Sequence, residues 1–150
     1  VAAALQLYLT RLAAGLDASH LRPVGDGVCP VCGGAPVASS IVGWAEASRA
    51  RYCCCGLCAT RWNYVRVKCV MCGSTEGVSQ RLIEELSKDI VAEICGKCHG
   101  YAKQFREDRR PEIEPLADDI ASFGLDLLVR EEGYVRFNAN PLMIVAAPSP

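Results

Sequence analysis

Eight of the ten cysteines in this 150-residue chain fall into four Cys-x-x-Cys pairs: Cys29/Cys32, Cys55/Cys58, Cys69/Cys72 and Cys95/Cys98. Two thiolates at that spacing grip one ion while the backbone between them turns its N–H groups toward the sulfurs. The first two pairs recur as the last two at one offset: 69−29, 72−32, 95−55 and 98−58 all equal 40, and Gly33 and Gly56 recur as Gly73 and Gly96. In each copy 22 residues separate the pairs, 33–54 and 73–94. The chemistry this spells is a duplicated four-thiolate metal site. Cys29, Cys32, Cys55 and Cys58 form the first, and Cys69, Cys72, Cys95 and Cys98 the second. The alternative nests Cys55/Cys58 with Cys69/Cys72 and leaves the outer pairs to each other; the repeat favours the sequential order.

Thiolate sets of this kind take zinc or iron, and residue types do not choose between the two. A complete four-sulfur set leaves no position open for water or substrate, which argues against metal-assisted hydrolysis and for a structural or electron-transferring site. A lone Cys-x-x-Cys would also suit a redox dithiol. His20 is isolated, and His99 directly follows Cys98, where the turn points it away, so neither is expected as a ligand. Cys53 and Cys54 are left over; they read as buried inert thiols, one of them facing inward, with a reactive thiol or substitute ligand as the alternative.

The totals bound the rest. A chain of 150 residues suits one ordinary domain or two small modules sharing surfaces, and each cysteine-rich copy is too short to hold a core without a staple. The formal charge of −1 argues against a generally nucleic-acid-binding chain. Its charges are segregated, however. Ala47 to Thr75 carries Arg49, Arg51, Arg61, Arg66 and Lys68 with no acid, while Glu107 to Glu132 carries nine acids against Arg109, Arg110 and Arg130. Ten cysteines also fit a disulfide framework, but no basic segment precedes the apolar start and Arg11 interrupts it, so a secretory signal is not expected. No apolar run is long enough to span a membrane.

The positioning elements follow from periodicity. Residues 2–16 predict a helix with a stripe of Leu5, Leu9, Leu12 and Leu16. Short strands are expected at Pro36 to Val42, Trp62 to Val67, Val78 to Ile83 and Ile90 to Ile94, with Leu82 to Leu86 also readable as a helical turn. In the second strand Trp62, Tyr64, Arg66 and Lys68 share one face. With Arg61 they make a candidate partner-binding, charge-balancing or single-strand-binding surface. After Cys98 the pattern reads as helix, with Tyr101 and Phe105 on one face. A further helix carries Leu116, Ile120, Phe123, Leu127 and Leu128 as its apolar stripe, with Asp118, Asp119 and Asp126 largely off it; adjacent helical residues point apart, so Asp118 and Asp119 read as a solvated face rather than a catalytic carboxylate couple. Asn138 to Pro150 reads as an irregular tail. The fold class is small, metal-rich α+β: two tandem rubredoxin-like or zinc-ribbon modules flanked by helices. The expected divisions are a helical segment at 1–22, modules at 23–62 and 63–106, and a C-terminal helix and tail at 107–150.

Several phrases carry a family resemblance. They are Cys29-Pro30-Val31-Cys32-Gly33, Cys58 through Cys69 with Arg61-Trp62-Asn63-Tyr64 inside it, Cys95-Gly96-Lys97-Cys98-His99-Gly100-Tyr101, and Ala117-Asp118-Asp119-Ile120-Ala121-Ser122 through Gly133-Tyr134. Together, and in this order, they resemble the bacterial formate dehydrogenase accessory protein family. The eight paired cysteines match the family's motif one by one. The resemblance implies a helical N-terminal region, of which 1–22 would be the remnant, then two rubredoxin-like modules able to carry iron, then a helical part. It also implies a cytoplasmic, non-enzymatic factor that binds the catalytic subunit of formate dehydrogenase before export and acts in its maturation or quality control. The chain departs from the family at Cys53 and Cys54, where members often lack cysteine. The competing readings are a nucleic-acid-binding zinc ribbon and an iron-based redox protein.

Overall fold

The structure, a computed structural model, describes residues 2–84 and 87–143. The 40-residue repeat folds as two copies of one three-stranded antiparallel unit. In the first, β1 (Pro36–Ile41), β2 (Arg51–Cys55) and β3 (Arg61–Asn63) lie in the order β3-β2-β1. In the second, β4 (Val78–Arg81), β5 (Ile90–Cys95) and β6 (Gly100–Arg106) lie in the matching order β6-β5-β4. The units join edge to edge through parallel pairing of β1 with β6, Ala38 opposite Lys103 and Ile41 opposite Arg106. One sheet, β3-β2-β1-β6-β5-β4, results, and the short β7 (Val135–Arg136) adds to β6. Around it stand α1 (Ala2–Ala14), α2 (Pro115–Ala121) and α3 (Phe123–Glu131). The fold is a small α+β one. Among the described residues no helix is long and apolar enough to cross a membrane.

The segment after Cys98 is a strand, not the expected helix. β6 fills the slot between β1 and β5 and is buried along nearly its whole length, so pairing on both edges overrides its helical pattern. Tyr101 and Phe105 still share a face, because a four-residue step is also even in a strand. That face, with Ile90, Ala92 and Ile94 of β5, packs on Leu125, Val129 and Ile113 to make the main core. The opposite face carries Cys53, Ala102, Tyr64 and Val70. With both faces covered, Cys53 and Cys54 are each buried, where one was expected inward.

The predicted strand at Trp62 to Val67 stops at Asn63. Arg51 is the physical reason: its guanidinium takes the carbonyls of Val65, Arg66 and Lys68 at 3.4, 3.2 and 2.9 Å, turning the chain away from the sheet. The α1 stripe is also rephased. Leu9 and Ala13 pack inward and Gln6 reaches the Gly56 carbonyl at 2.8 Å, whereas Leu5, Leu12 and Leu16 face outward. The tail reading for Asn138 to Pro150 meets a 3₁₀ turn at Pro141–Met143, and residues 144–150 lie outside the described residues. The Leu82 to Leu86 reading likewise falls partly outside them.

Of the expected apolar stripe on the C-terminal helices, Leu116 packs against the main core and the other four residues turn outward. Ile120, Phe123, Leu127 and Leu128 are 41, 45, 49 and 39% exposed, while Asp119 and Asp126 are buried. Their counter-charges come from the sheet. Lys103, fully buried on β6, lies 3.2 Å from Asp119 and 2.5 Å from Asp126, and also donates to the carbonyls of Asp119 and Ser122. Arg136 closes the group at 2.6 Å from Asp119 and 2.8 Å from Asp126, and the Tyr101 hydroxyl donates to Asp126 at 2.8 Å. Asp118 points the other way, to Arg110 at 3.2 Å, as adjacent helical residues must. Lys103→Met leaves two buried carboxylates with one cation and is expected to cost about 3–5 kcal/mol. Leu128→Ser on the exposed face should stay within about 0.5 kcal/mol. Urea unfolding at saturating metal distinguishes these, and equal effects would contradict the burial pattern.

Candidate metal centres

Each centre is built from the ends of two turns. In the first turn of each copy the Cys29 carbonyl accepts from the Gly33 N–H at 3.0 Å and the Cys69 carbonyl from the Gly73 N–H at 3.0 Å. Both glycines sit at positive φ, +73° and +69°, the left-handed conformation glycine adopts without a Cβ clash. In the second turn the same corner falls to Ala59 at φ +54° and His99 at φ +53°, because Gly56 and Gly96 lie inside those turns instead. These two non-glycine corners carry backbone strain that the surrounding hydrogen bonds must hold. His99 turns toward Tyr134, their rings 6.0 Å apart, and contributes to neither thiol set.

The turns aim backbone donors at the leading sulfurs. The Leu57 N–H points at the Cys55 sulfur and the Met71 N–H at the Cys69 sulfur, each at 3.4 Å. The structure gathers the eight thiols as Cys29, Cys32, Cys55, Cys58 and as Cys69, Cys72, Cys95, Cys98, with the sulfurs of each set all within 4.8 Å of one another. Individual S···S separations are 3.6 Å for Cys29–Cys58, 3.4 Å for Cys32–Cys55, and 3.8 Å for both Cys69–Cys98 and Cys72–Cys95. A metal–sulfur bond of about 2.3 Å in a tetrahedron requires S···S edges of about 3.8 Å. A disulfide would hold its sulfurs at about 2.05 Å. The spacing, the donor set and the N–H groups therefore fit a thiolate-bound ion. Each group can hold one metal ion, and the set does not discriminate zinc from iron.

The surroundings differ between sets. Cys29, Cys55 and Cys58 are buried under Leu9, Ala13, Val31 and Trp62, while Cys32 reaches the surface. Cys69 and Cys95 are buried, Cys98 is half-buried and Cys72 is exposed. Burial pushes the Cys69 thiol up to about 12 against the pull of the Cys72 and Met71 N–H groups. At Cys95 burial also pushes upward, but the Cys98 and Lys97 N–H groups and neighbouring thiols outweigh it and bring the group down to about 7. Cys53 and Cys54, by contrast, are each pushed up to about 12 by burial, with Arg51 and Arg61 respectively opposing it. They are inert thiols at neutral pH.

The segment from Arg61 to Lys68 forms no single exposed face. Arg61 pairs with Glu107 at 2.8 Å, Trp62 packs against the first centre, Tyr64 is buried with its hydroxyl donating to the Cys69 carbonyl at 3.2 Å, and Lys68 pairs with Asp26. Arg66 alone of the five stays apart from these contacts through its side chain, its carbonyl being held by Arg51. In the sequence Arg51 reads only as one charge of the basic stretch and Glu93 does not stand out, yet the two form the buried pair behind this segment at 2.6 Å. A lone arginine in a strand otherwise made of Tyr52 and cysteines was the available signal.

Comparison with known proteins fits this geometry. Residues 28–66 match the family model described as FdhE, central domain, and residues 67–143 match FdhE, C-terminal domain. The chain belongs to the FdhE family. An FdhE homolog of Rhizobium meliloti is 46% identical over 146 residues, covering 96% of this chain and 48% of that protein. One from Stutzerimonas stutzeri is 41% identical over 142 residues, covering 94% and 47%. The crystal structure of the FdhE protein from Pseudomonas aeruginosa superposes with a TM-score of 0.86 at 34% identity, over 95% of this chain and 50% of that one. The chain thus spans about half the length of the FdhE relatives it matches.

Elemental analysis of the purified chain should find two ions per molecule, and Cys29→Ser/Cys58→Ser should reduce this to one. A single ion in the unaltered chain would contradict the two-centre geometry. In the loaded, folded chain iodoacetamide at neutral pH should spare Cys53 and Cys54, with labelling only after denaturation; mass spectrometry of the peptides reads this directly.

Proposed function

We propose that this chain is the metal-holding part of a non-enzymatic maturation factor for formate dehydrogenase, one that binds the catalytic subunit in the cytoplasm before export. Membership in the FdhE family supports the assignment to formate dehydrogenase. The observation that carries the non-enzymatic reading is the pair of closed four-thiol sets. All four coordination positions of each ion would be filled by Cys29, Cys32, Cys55 and Cys58, or by Cys69, Cys72, Cys95 and Cys98. An ion so enclosed stabilises a fold and has no vacancy at which to activate water. A structural zinc contributes about 10–16 kcal/mol, enough to fold modules as small as these. The exposure of four large apolar side chains close together in sequence, Ile120, Phe123, Leu127 and Leu128, adds support, because exposed apolar surface of this kind marks protein contacts.

A nucleic-acid role loses its basis with the Arg61-to-Lys68 surface, whose Tyr64 is buried and whose Arg61 and Lys68 are paired with acids. An iron-based redox role retains one favourable observation: Cys32 and Cys72 bring one sulfur of each set to the surface, where an electron would enter. Iron-loaded chain should then be red with a one-electron couple, and colourless zinc-loaded chain removes that reading.

The purified chain is expected to retain the formate dehydrogenase catalytic subunit in a pull-down. Cys29→Ser or Cys69→Ser should weaken retention by unfolding one module, and Leu127→Ser/Leu128→Ser should weaken it without loss of metal. Failure to retain any form of the subunit would overturn the proposal.

A further inference from the structure

We infer that Arg51 couples the two thiolate centres, so that an ion held at one raises the affinity of the other. The inference rests on the metal-holding reading above. Arg51 lies on β2, which ends in Cys55 of the first centre. Its side chain is fully buried, yet among the described residues every hydrogen-bond partner of its guanidinium belongs to the second copy's approach. One terminal nitrogen takes the carbonyls of Val65, Arg66 and Lys68, the residues leading directly into Cys69. The other meets Glu93 at 2.6 Å, on β5 just before Cys95. A single guanidinium therefore ties a segment that ends at the first centre to both segments that open the second.

Glu93 is held in turn. Gln104 of β6 donates to its other oxygen at 3.2 Å, and Gln80 of β4 donates to Gln104 at 3.0 Å. Apolar contact follows the same route. Trp62 packs against Cys29, Cys55 and Cys58 on one side and belongs with Cys53, Tyr64, Val70 and Met71 on the other. Tyr64 then hands a hydrogen bond to the carbonyl of Cys69 itself.

The 64–68 stretch has no strand pairing of its own beyond the Tyr64 N–H to the Arg51 carbonyl at 2.9 Å. Its conformation is set by where the Arg51 fork stands. Ordering such a segment costs conformational entropy. An ion at the first centre fixes Cys55, hence β2, hence Arg51, and so meets part of the cost of shaping the path into Cys69. The second ion then binds a partly formed site. Linkage makes the effect reciprocal: the second ion must raise the affinity of the first by the same factor. A buried charged pair of this kind is weak evidence for stability in itself. A role in coupling gives the pair a consequence that stability measurements alone would not reveal.

Competition against a chromophoric zinc chelator tests this in the 150-residue chain. The product of the two stepwise zinc constants of the intact chain is compared with the product of the constants of two single-centre variants, Cys29→Ser/Cys58→Ser and Cys69→Ser/Cys98→Ser. The ratio is the coupling factor, expected at about 5–150-fold. The same ratio measured in an Arg51→Met/Glu93→Met background, which removes both buried charges together, should fall to unity. If that background fails to fold with zinc, as read by circular dichroism, Arg51→Lys replaces it, since an ammonium keeps the charge for Glu93 but loses the fork that reaches the carbonyls. A ratio of unity in the intact background, or a ratio unchanged by altering Arg51, overturns the coupling. A chain that binds no zinc at either set fails the metal-holding reading itself, and one that binds two ions independently fails only the coupling.

Discussion

Four sulfurs must close to tetrahedral edges of about 3.8 Å around each ion, and the rest of the architecture answers to that requirement. A Cys-x-x-Cys turn supplies only two of them, so two turns separated by 22 residues have to meet tip to tip. The three-stranded unit accomplishes this. Its first turn precedes β1 or β4, its second caps the hairpin of β2 and β3 or β5 and β6, and antiparallel pairing brings the two tips together. Each three-stranded copy has two edges, and the parallel pairing of β1 with β6 buries one from each, leaving β3 and β4 as the edges of the joined sheet. An exposed edge is an aggregation liability, so the duplication halves the number of edges per copy.

Joining the copies has an electrostatic consequence. The sheet is covered on both faces, and charged residues near the seam become buried charges. Lys103 is answered on the helical face by Asp119 and Asp126, with Arg136 balancing the second carboxylate. Arg51 is answered on the opposite face by Glu93 and three carbonyls. Each group is close to neutral as a set, which is the condition under which burial is tolerated. These pairings also fix register: sliding β6 by one residue would send Lys103 to the face that carries Glu93 and leave two aspartates without their cation.

What was legible in the sequence and what was not divide along one line. Local signals were readable: the 40-residue offset, the strands at β1, β4 and β5, and helix after Pro115, which the structure divides at Ser122 into α2 and α3. Features set by distant residues were not. β6 carries a helical pattern, and only the slot between β1 and β5 makes it a strand. Trp62 to Val67 carries a strand pattern, and only the Arg51 fork bends it away. Asp119 and Asp126 look solvated on a helical wheel until Lys103 and Arg136 arrive from the sheet and from β7. Hydrophobic periodicity assumes that acids face water, and it fails where a buried cation is waiting.

The same pairings explain the segregation of charge along the chain. A basic middle and an acidic C-terminal third suggest, on paper, one surface of each sign. In the fold much of each is spent on the other or on its neighbours. Arg61 meets Glu107, Arg51 meets Glu93, Arg110 meets Asp118, and Lys103 and Arg136 meet Asp119 and Asp126. Folding pairs Arg61 and Lys68 of the candidate polyanion-binding strip with acids, and on α2 and α3 it leaves Ile120, Phe123, Leu127 and Leu128 exposed. Turning Asp119 and Asp126 inward to hold the helices on the sheet thus leaves an outward face on which large apolar side chains stand beside Arg130 and Glu131. Such a face suits contact with protein rather than with a phosphate backbone, whose affinity comes mainly from cations.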